Sequence, residues 1–299
     1  MYGAIEGGGT KFVCAVAEAP DRILDRVTVP TSDPHTTLAE CVQYFAAAET
    51  THGPIAAFGF GCFGPIELAL EAPGFGQLLA TPKPGWSGID VLAPLRSKFA
   101  APIALDVDVG VAALAEWRLG AGRGARSLAY VTVGTGIGGA VVPQDRARGR
   151  LMHAEMGHLP TARDPRDAGF AGVCPFHGGC IEGLASGPAI RARWGSDLAA
   201  LPADHAGRSI IAGYLGQLAA SIALFESVER IVFGGGVMAN GELVPLVTAA
   251  MLDYLNGYLP ALADRGRAEG YVCTPALGRD SGIVGAVLLA AQASRETST

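Results

Sequence analysis

At 299 residues the chain is long enough for one large core or two ordinary domains, and its length favours two. With 49% hydrophobic and 17% charged residues it has the composition of a soluble globular protein, and a net charge of −6 without a dense Lys/Arg block argues against a nucleic-acid surface, which needs clustered cations. The first six residues lack a basic leader region, and no apolar run reaches membrane-spanning length without Gly, Pro or charge, so the expected location is the cytoplasm rather than a membrane.

In chain order, the apolar run 2–5 leads into Glu6-Gly7-Gly8-Gly9-Thr10-Lys11, and 12–17 resumes a strand-like run, which predicts two strands joined by a glycine hairpin. Residues 31–34 read as a loop, and 36–49 carry apolar residues at three- and four-residue intervals, as a helix does. The Gly- and Pro-rich stretch 72–86 is a second loop, followed by a helix over 88–99. The run 102–105 is a strand that delivers Asp108 to the start of a helix over 109–119.

The design of the N-terminus then repeats. Residues 128–133 and 140–142 are strands around Val133-Gly134-Thr135-Gly136-Ile137-Gly138-Gly139, which implies two similar halves. A polar connector over 161–172 precedes a cysteine and histidine cluster, and 208–228 is a helix. The run 231–233 enters Gly234-Gly235-Gly236 as a strand-to-helix junction, and 281–291 closes the chain as a buried helix. Strands mixed with helices mean an α/β fold, and the absence of a long linker predicts two closely packed halves with a cleft between them.

Three local patterns carry chemistry. The turn from Gly7 to Lys11 offers backbone N–H groups, the Thr10 hydroxyl and the Lys11 cation, a set suited to nucleotide phosphates. Its spacing fits neither the P-loop nor the dinucleotide fingerprint, since both glycine turns open strands. Taken singly, each turn is also explained as a plain hairpin; two of them together with Gly234 to Gly236 favour phosphate binding. Asp108 is placed either as an acid-base carboxylate or as a helix N-cap, and Asp106 is assigned no chemistry.

The third pattern is Cys174-Pro175-Phe176-His177-Gly178-Gly179-Cys180 with His158 upstream. Cys-x2-His-x2-Cys plus one histidine matches the four nitrogen and sulfur ligands zinc prefers, with a disulfide or simple buried thiols as the competing explanation. Of six cysteines, at 14, 41, 62, 174, 180 and 273, only the pair 174 and 180 is locally organised. Glu155 and His158 share a face at helical or turn spacing, and Glu182 closes the cluster on its far side.

Together these residues resemble the ROK family of sugar kinases and repressors, within the actin-like ATPase superfamily. Residues 6–11 look like its first phosphate motif, 133–139 its second, Glu155-Met156-Gly157-His158 its sugar and zinc motif, and Gly234-Gly235-Gly236-Val237-Met238 its adenosine motif; the match runs from about residue 2 to 291. Phe63-Gly64-Pro65-Ile66, Thr81-Pro82-Lys83 through Trp86, and the Cys-Pro-aromatic-His cluster are most similar to the bacterial zinc-containing fructokinases. The resemblance implies an actin-like ATPase (duplicated RNase H-like) fold of two domains with an interdomain cleft. Residues 1–115 would form a small domain completed by 281–299, and 116–280 a large one.

It further implies a hexose kinase that makes fructose 6-phosphate from fructose and Mg2+-ATP, with Asp108 as general base. Gly8, Gly9, Thr10, Lys11, Gly134, Thr135, Gly136, Pro188, Gly234, Gly235, Gly236, Val237 and Met238 would bind ATP. Gly64, Pro65, Asp108, Glu155, His158 and Glu182 would bind the sugar. His158, Cys174, His177 and Cys180 would hold a structural zinc, and a homodimer is expected. Two departures stand out: Gly110 replaces the Asn usual two residues after the catalytic Asp, and Val107 replaces the Asn of many glucokinases. The alternatives are a kinase for mannose, glucose or an N-acetylated hexose, or a non-catalytic sugar-binding protein. A repressor would carry a helix-turn-helix domain ahead of the first phosphate motif, which here begins at residue 6.

Overall fold

The computed structural model describes residues 1–144, 151–264, 266 and 268–296. Residues 297–299 of the expected terminal segment and 145–150 of the expected large domain lie outside the described residues. The strands are β1 (Tyr2–Gly7), β2 (Lys11–Ala19), β3 (Arg22–Pro30), β4 (Ala57–Cys62), β5 (Ile103–Val107), β6 (Leu128–Val133), β7 (Ile137–Val142), β8 (Ile231–Gly234) and β9 (Val272–Cys273). The helices are α1 (Pro34–His52), α2 (Ala93–Lys98), α3 (Asp108–Arg118), α4 (Ile181–Ala185), α5 (Gly187–Trp194), α6 (Ala206–Glu226), α7 (Val244–Leu255) and α8 (Ser281–Glu296).

Two compact units result, one of residues 1–115, 151–153 and 279–296, the other of 116–144, 154–264, 266 and 268–278. In the first, the sheet order is β3-β2-β1-β4-β5, with antiparallel pairing on the β3 side and parallel pairing through β4 to β5. The hairpin expected around residues 7–11 is present, with Gly7 opposite Phe12. Strand β4 explains why its pattern is invisible in the sequence. It alternates Phe58 and Phe60 with Gly59 and Gly61, because a Cβ at Gly59 would overlap the Ala286 carbonyl of α8 and one at Gly61 would overlap Val111 of α3. Bare backbone on that face lets both helices lie directly on the sheet. On the other face Phe45, Phe58 and Phe99 pack edge-on or tilted at centroid separations of 5.0 and 5.1 Å.

The helix expected over 88–99 is shorter. Gly88 and Gly76 hold positive φ, Asp90 Oδ1 accepts from the N–H groups of Leu92 and Ala93 at 2.8 and 3.1 Å, and Pro94 opens the helix, so α2 begins only at Ala93. Helix α1 starts at Pro34 instead of residue 36, since Asp33 accepts from Thr36 N–H at 3.0 Å and caps it there.

The second unit has sheet order β7-β6-β8-β9, with the expected second hairpin closing at Val133 opposite Ile137. Its core is built on α6, whose Ile211, Leu215, Leu218, Ala219 and Ile222 are buried with Val131, Phe233 and Met251. Among the described residues α6 alone is long and apolar enough to cross a membrane, and 61% of its most apolar window is buried inside the fold, as suits a core helix. The strand-to-helix junction expected after β8 is corrected: Gly236–Met238 is a single 3-10 turn, and α7 starts at Val244, ahead of Pro245. Gly235 at φ 86° and Gly241 at φ 71° turn the chain twice in between.

Candidate active site

In the first unit, the β1–β2 turn leaves Gly9 with no atom within 4 Å of where its Cβ would stand, an open approach to the backbone. Behind it, Glu6, Gly61 and Asp106 lie in register across β1, β4 and β5, so two carboxylates share one sheet face with no side chain between them. Glu6 is held by the Ile283 N–H at the start of α8. Burial pushes its carboxyl up to about 7, and the negative charge of Asp108 adds to the rise.

Asp108 opens α3 and accepts from the Val109 N–H at 2.8 Å. Part of the residue reaches the surface, yet desolvation of its carboxyl dominates and raises it to about 6, with Asp106 pushing the same way against the helix-start N–H bond. Gly110 has a role the sequence does not reveal. A Cβ there would meet all three carboxyl atoms of Asp106 at 2.6–2.7 Å, so the absent side chain is the space Asp106 occupies. Gly64 and Pro65 precede Ile66, whose N–H donates to His153 Nε2 at 3.2 Å, and a Cβ at Gly64 would meet that ring at 2.9 Å. His153 has no motif to mark it in the sequence.

In the second unit, a cavity of about 480 Å³ is lined by Gly134, Thr135, Gly236 and Val237 from the expected nucleotide set. Pro188 follows the wall residue Gly187, whose N–H donates to Gly134 O at 2.8 Å. Gly234, Gly235 and Met238 are not on this wall: Met238 is buried in the core, and Gly234 and Gly235 press against Tyr130 and the Val133 backbone. The polar part of the lining comes from Arg191, Asp197, Arg208 and Asn240, with Arg191 paired to Asp197 at 2.5 Å and Arg208 to Glu242 at 2.8 Å. These four are unmarked in the sequence because tertiary packing alone gathers them.

The structure brings the Nδ1 or Nε2 and Sγ atoms of His158, Cys174, His177 and Cys180 within 4.8 Å of one another. Cys174 Sγ lies 3.7 Å from Nδ1 of both His158 and His177, and Cys180 Sγ lies 3.6 Å from His158 Nδ1. Zinc bonds of about 2.3 Å to sulfur and 2.0–2.1 Å to nitrogen at tetrahedral angles put those atoms roughly 3.6 Å apart, so the donor set fits zinc in both chemistry and spacing. Burial pushes the Cys180 thiol up to about 11, a cost that a bound cation reverses by stabilising the thiolate.

Glu155 caps and His158 ends one 3-10 turn, a geometry that superposes residues three apart. The outer His158 nitrogen, Nε2, faces Glu182 Oε1 at 4.0 Å, while Glu182 Oε2 accepts from the Ile137 N–H at 2.8 Å. A Cβ at Gly136 would stand 2.7 Å from that oxygen, so the second glycine turn and the histidine–cysteine cluster are joined through Glu182.

The connector leading to the cluster is locked from behind. Arg193 binds Asp167 through two 2.8 Å hydrogen bonds, both side chains being 5% exposed, and Tyr214 donates to the same carboxylate at 2.8 Å. The Arg193 guanidinium stacks 3.9 Å from the Phe170 ring, and Arg163 donates to the carbonyls of Asp167 and Phe170.

Compared with known proteins, residues 2–293 match the family model described as the ROK family. The chain is 42% identical to a fructokinase of Zymomonas mobilis over 99% of this chain and 98% of that protein. It is 38% identical to a fructokinase of Pediococcus pentosaceus, over 97% of each. A ROK hexokinase structure from Thermus thermophilus superposes with a TM-score of 0.73 at 26% identity, covering 99% of both chains.

Proposed function

The chain belongs to the ROK family, and with its actin-like ATPase fold as the premise we propose that it phosphorylates fructose to fructose 6-phosphate with Mg2+-ATP. The observation that carries the catalytic assignment is Asp108, a desolvated carboxylate raised to about 6 at the start of α3. Near neutral pH it is ionised yet basic enough to accept a proton, as a general base must be. It takes the proton of the hexose hydroxyl as that oxygen attacks the γ-phosphorus, and ADP leaves.

Phosphoryl transfer needs little covalent help from protein, so the remaining residues bind and position. The turns Gly8 to Lys11 and Gly134 to Gly136 bind the phosphates, the first through the N–H groups of Gly9 and Thr10, while Gly8 and Gly134 N–H close the turns themselves, and the cavity around Thr135, Gly236 and Val237 takes the nucleoside. Glu155, His158 and Glu182 form the sugar wall, carboxylates accepting from sugar hydroxyls. His158, Cys174, His177 and Cys180 would hold zinc, which supplies rigidity and no chemistry, since four protein donors leave no open position. The protein acts in the cytoplasm as a homodimer.

The names of the relatives favour fructose over other hexoses. A turnover panel of fructose, mannose, glucose and N-acetylated hexoses tests this: fructose gives the highest kcat/KM, and a clear preference for an N-acetylated hexose overturns the assignment.

A further inference from the structure

The 299-residue chain has 22 basic residues, of which only Lys11, Lys83 and Lys98 are lysines. Two of those three meet at one turn. Lys83 comes from the Pro- and Gly-rich stretch after β4, and its Nζ donates to Gly9 O at 2.7 Å and to Thr31 O at 3.2 Å. A compact ammonium with three donors suits two converging carbonyls better than the planar fork of arginine does.

The bond to Gly9 completes a set. Gly8 O accepts from Thr31 Oγ1 at 2.8 Å, Thr10 O from Thr31 N–H at 3.0 Å, and Lys11 O from Gly8 N–H at 2.9 Å. With Lys83 on Gly9 O, every carbonyl from Gly8 to Lys11 is held by a donor. Among the described residues the N–H groups of Gly9 and Thr10 donate no hydrogen bond, and the space over Gly9 is open. A peptide unit points its N–H and C=O in opposite directions, so fixing the carbonyls on one side fixes the N–H groups on the other.

The segment bearing Lys83 is itself anchored. Trp86 is fully buried, stacks on Phe12 of β2 at 5.5 Å and donates from Nε1 to Ser32 O at 3.0 Å. Lys83 N–H is turned back to Thr81 Oγ1 at 3.3 Å.

We propose that Lys83 is a positioning residue for the triphosphate: by holding the Gly9 carbonyl it aims the Thr10 N–H of the same peptide unit, beside the Gly9 N–H that Thr31 sets through the Gly8 carbonyl, at the transferred end of the nucleotide, and its charge strengthens that anion site. This rests on the kinase reading above. It touches carbonyls rather than the reacting atoms, so its loss acts through the turn.

The test compares wild type, Lys83→Met and Lys83→Arg for binding of a non-hydrolysable ATP analogue and of adenosine, and for KM of ATP and of fructose. Lys83→Met weakens the analogue and raises KM for ATP by about ten- to a hundredfold, the range for losing a charged hydrogen bond. Adenosine affinity and KM for fructose stay within about twofold, and Lys83→Arg, still a cationic donor, recovers part of the loss. Lys83→Gln replaces the Met variant if the latter does not fold. Analogue binding within twofold of wild type in the Met or Gln variant overturns the inference alone, as does an equal loss of adenosine. Wild type that binds neither nucleotide overturns the kinase reading and this inference with it.

Discussion

The electrostatics around Asp108 predict that activity and stability respond to pH in opposite directions. Its carboxyl is raised from 3.8 to about 6, first by burial and then by Asp106. A general base works only when ionised, so kcat/KM for fructose rises with pH through about 6. A single titration then leaves about a tenth of the plateau one pH unit below and about a hundredth two units below. For stability the sign reverses. A carboxyl raised in the folded state binds its proton more tightly there than when unfolded, so this contribution is present at low pH and is lost as pH rises through the folded value. Glu6, raised to about 7, extends the same loss by one further unit.

The apo protein is therefore expected to lose thermal stability through these groups between about pH 4 and 7, and Asp108→Asn flattens the lower part of that decline. Asp106→Asn removes one charge that raises Asp108, so the acid limb of kcat/KM moves to lower pH. Rate profiles at saturating Mg2+-ATP and melting curves over the same buffers measure both. A kcat/KM unchanged from pH 7 to 5, or an acid limb moved upward by Asp106→Asn, refutes the reasoning.

Gly110→Ala places a methyl against the Asp106 carboxyl at 2.6–2.7 Å; it is expected to cost about 1–3 kcal/mol of stability and to move the acid limb as Asp106→Asn does, and a wild-type melt and pH profile contradict this. Arg193→Met leaves Asp167 buried without its partner, a loss of about 3–5 kcal/mol in denaturant unfolding, while adding Asp167→Asn recovers part of it; additive losses would deny the coupling. Freshly purified protein is expected to hold about one zinc per chain by metal analysis. Cys174→Ala is expected to lose the metal and weaken fructose binding together, and a zinc-free wild type removes the metal from the account.

What was legible in the sequence was local. Both hairpins read correctly because apolar runs flank their glycines within ten or so residues, and the cysteine and histidine donors announce themselves by spacing. Strand β4 was missed because its glycines serve α8 and α3, which lie far off in the chain. β3 was missed because an exposed edge strand carries Arg22, Asp25 and Arg26 without clean alternation. The start of α7 was misplaced because a glycine run after a strand fits a 3-10 turn as well as a helix start. Gly110 looked like a lost amide, and only the fold shows Asp106 filling its place. The polar cavity residues Arg191, Asp197, Arg208 and Asn240 come from α5, α6 and the loops beside them, a grouping without any sequence pattern.

The central claim is that Asp108 drives phosphoryl transfer from ATP to fructose. The most direct measurement is fructose-dependent formation of ADP and fructose 6-phosphate by wild type and by Asp108→Asn, with fructose binding followed in parallel. The account predicts turnover in wild type and a loss of at least about a hundredfold in the variant, consistent with removal of a general base, while fructose binding persists. Equal turnover in the two proteins, or none in wild type that binds fructose and ATP, contradicts it.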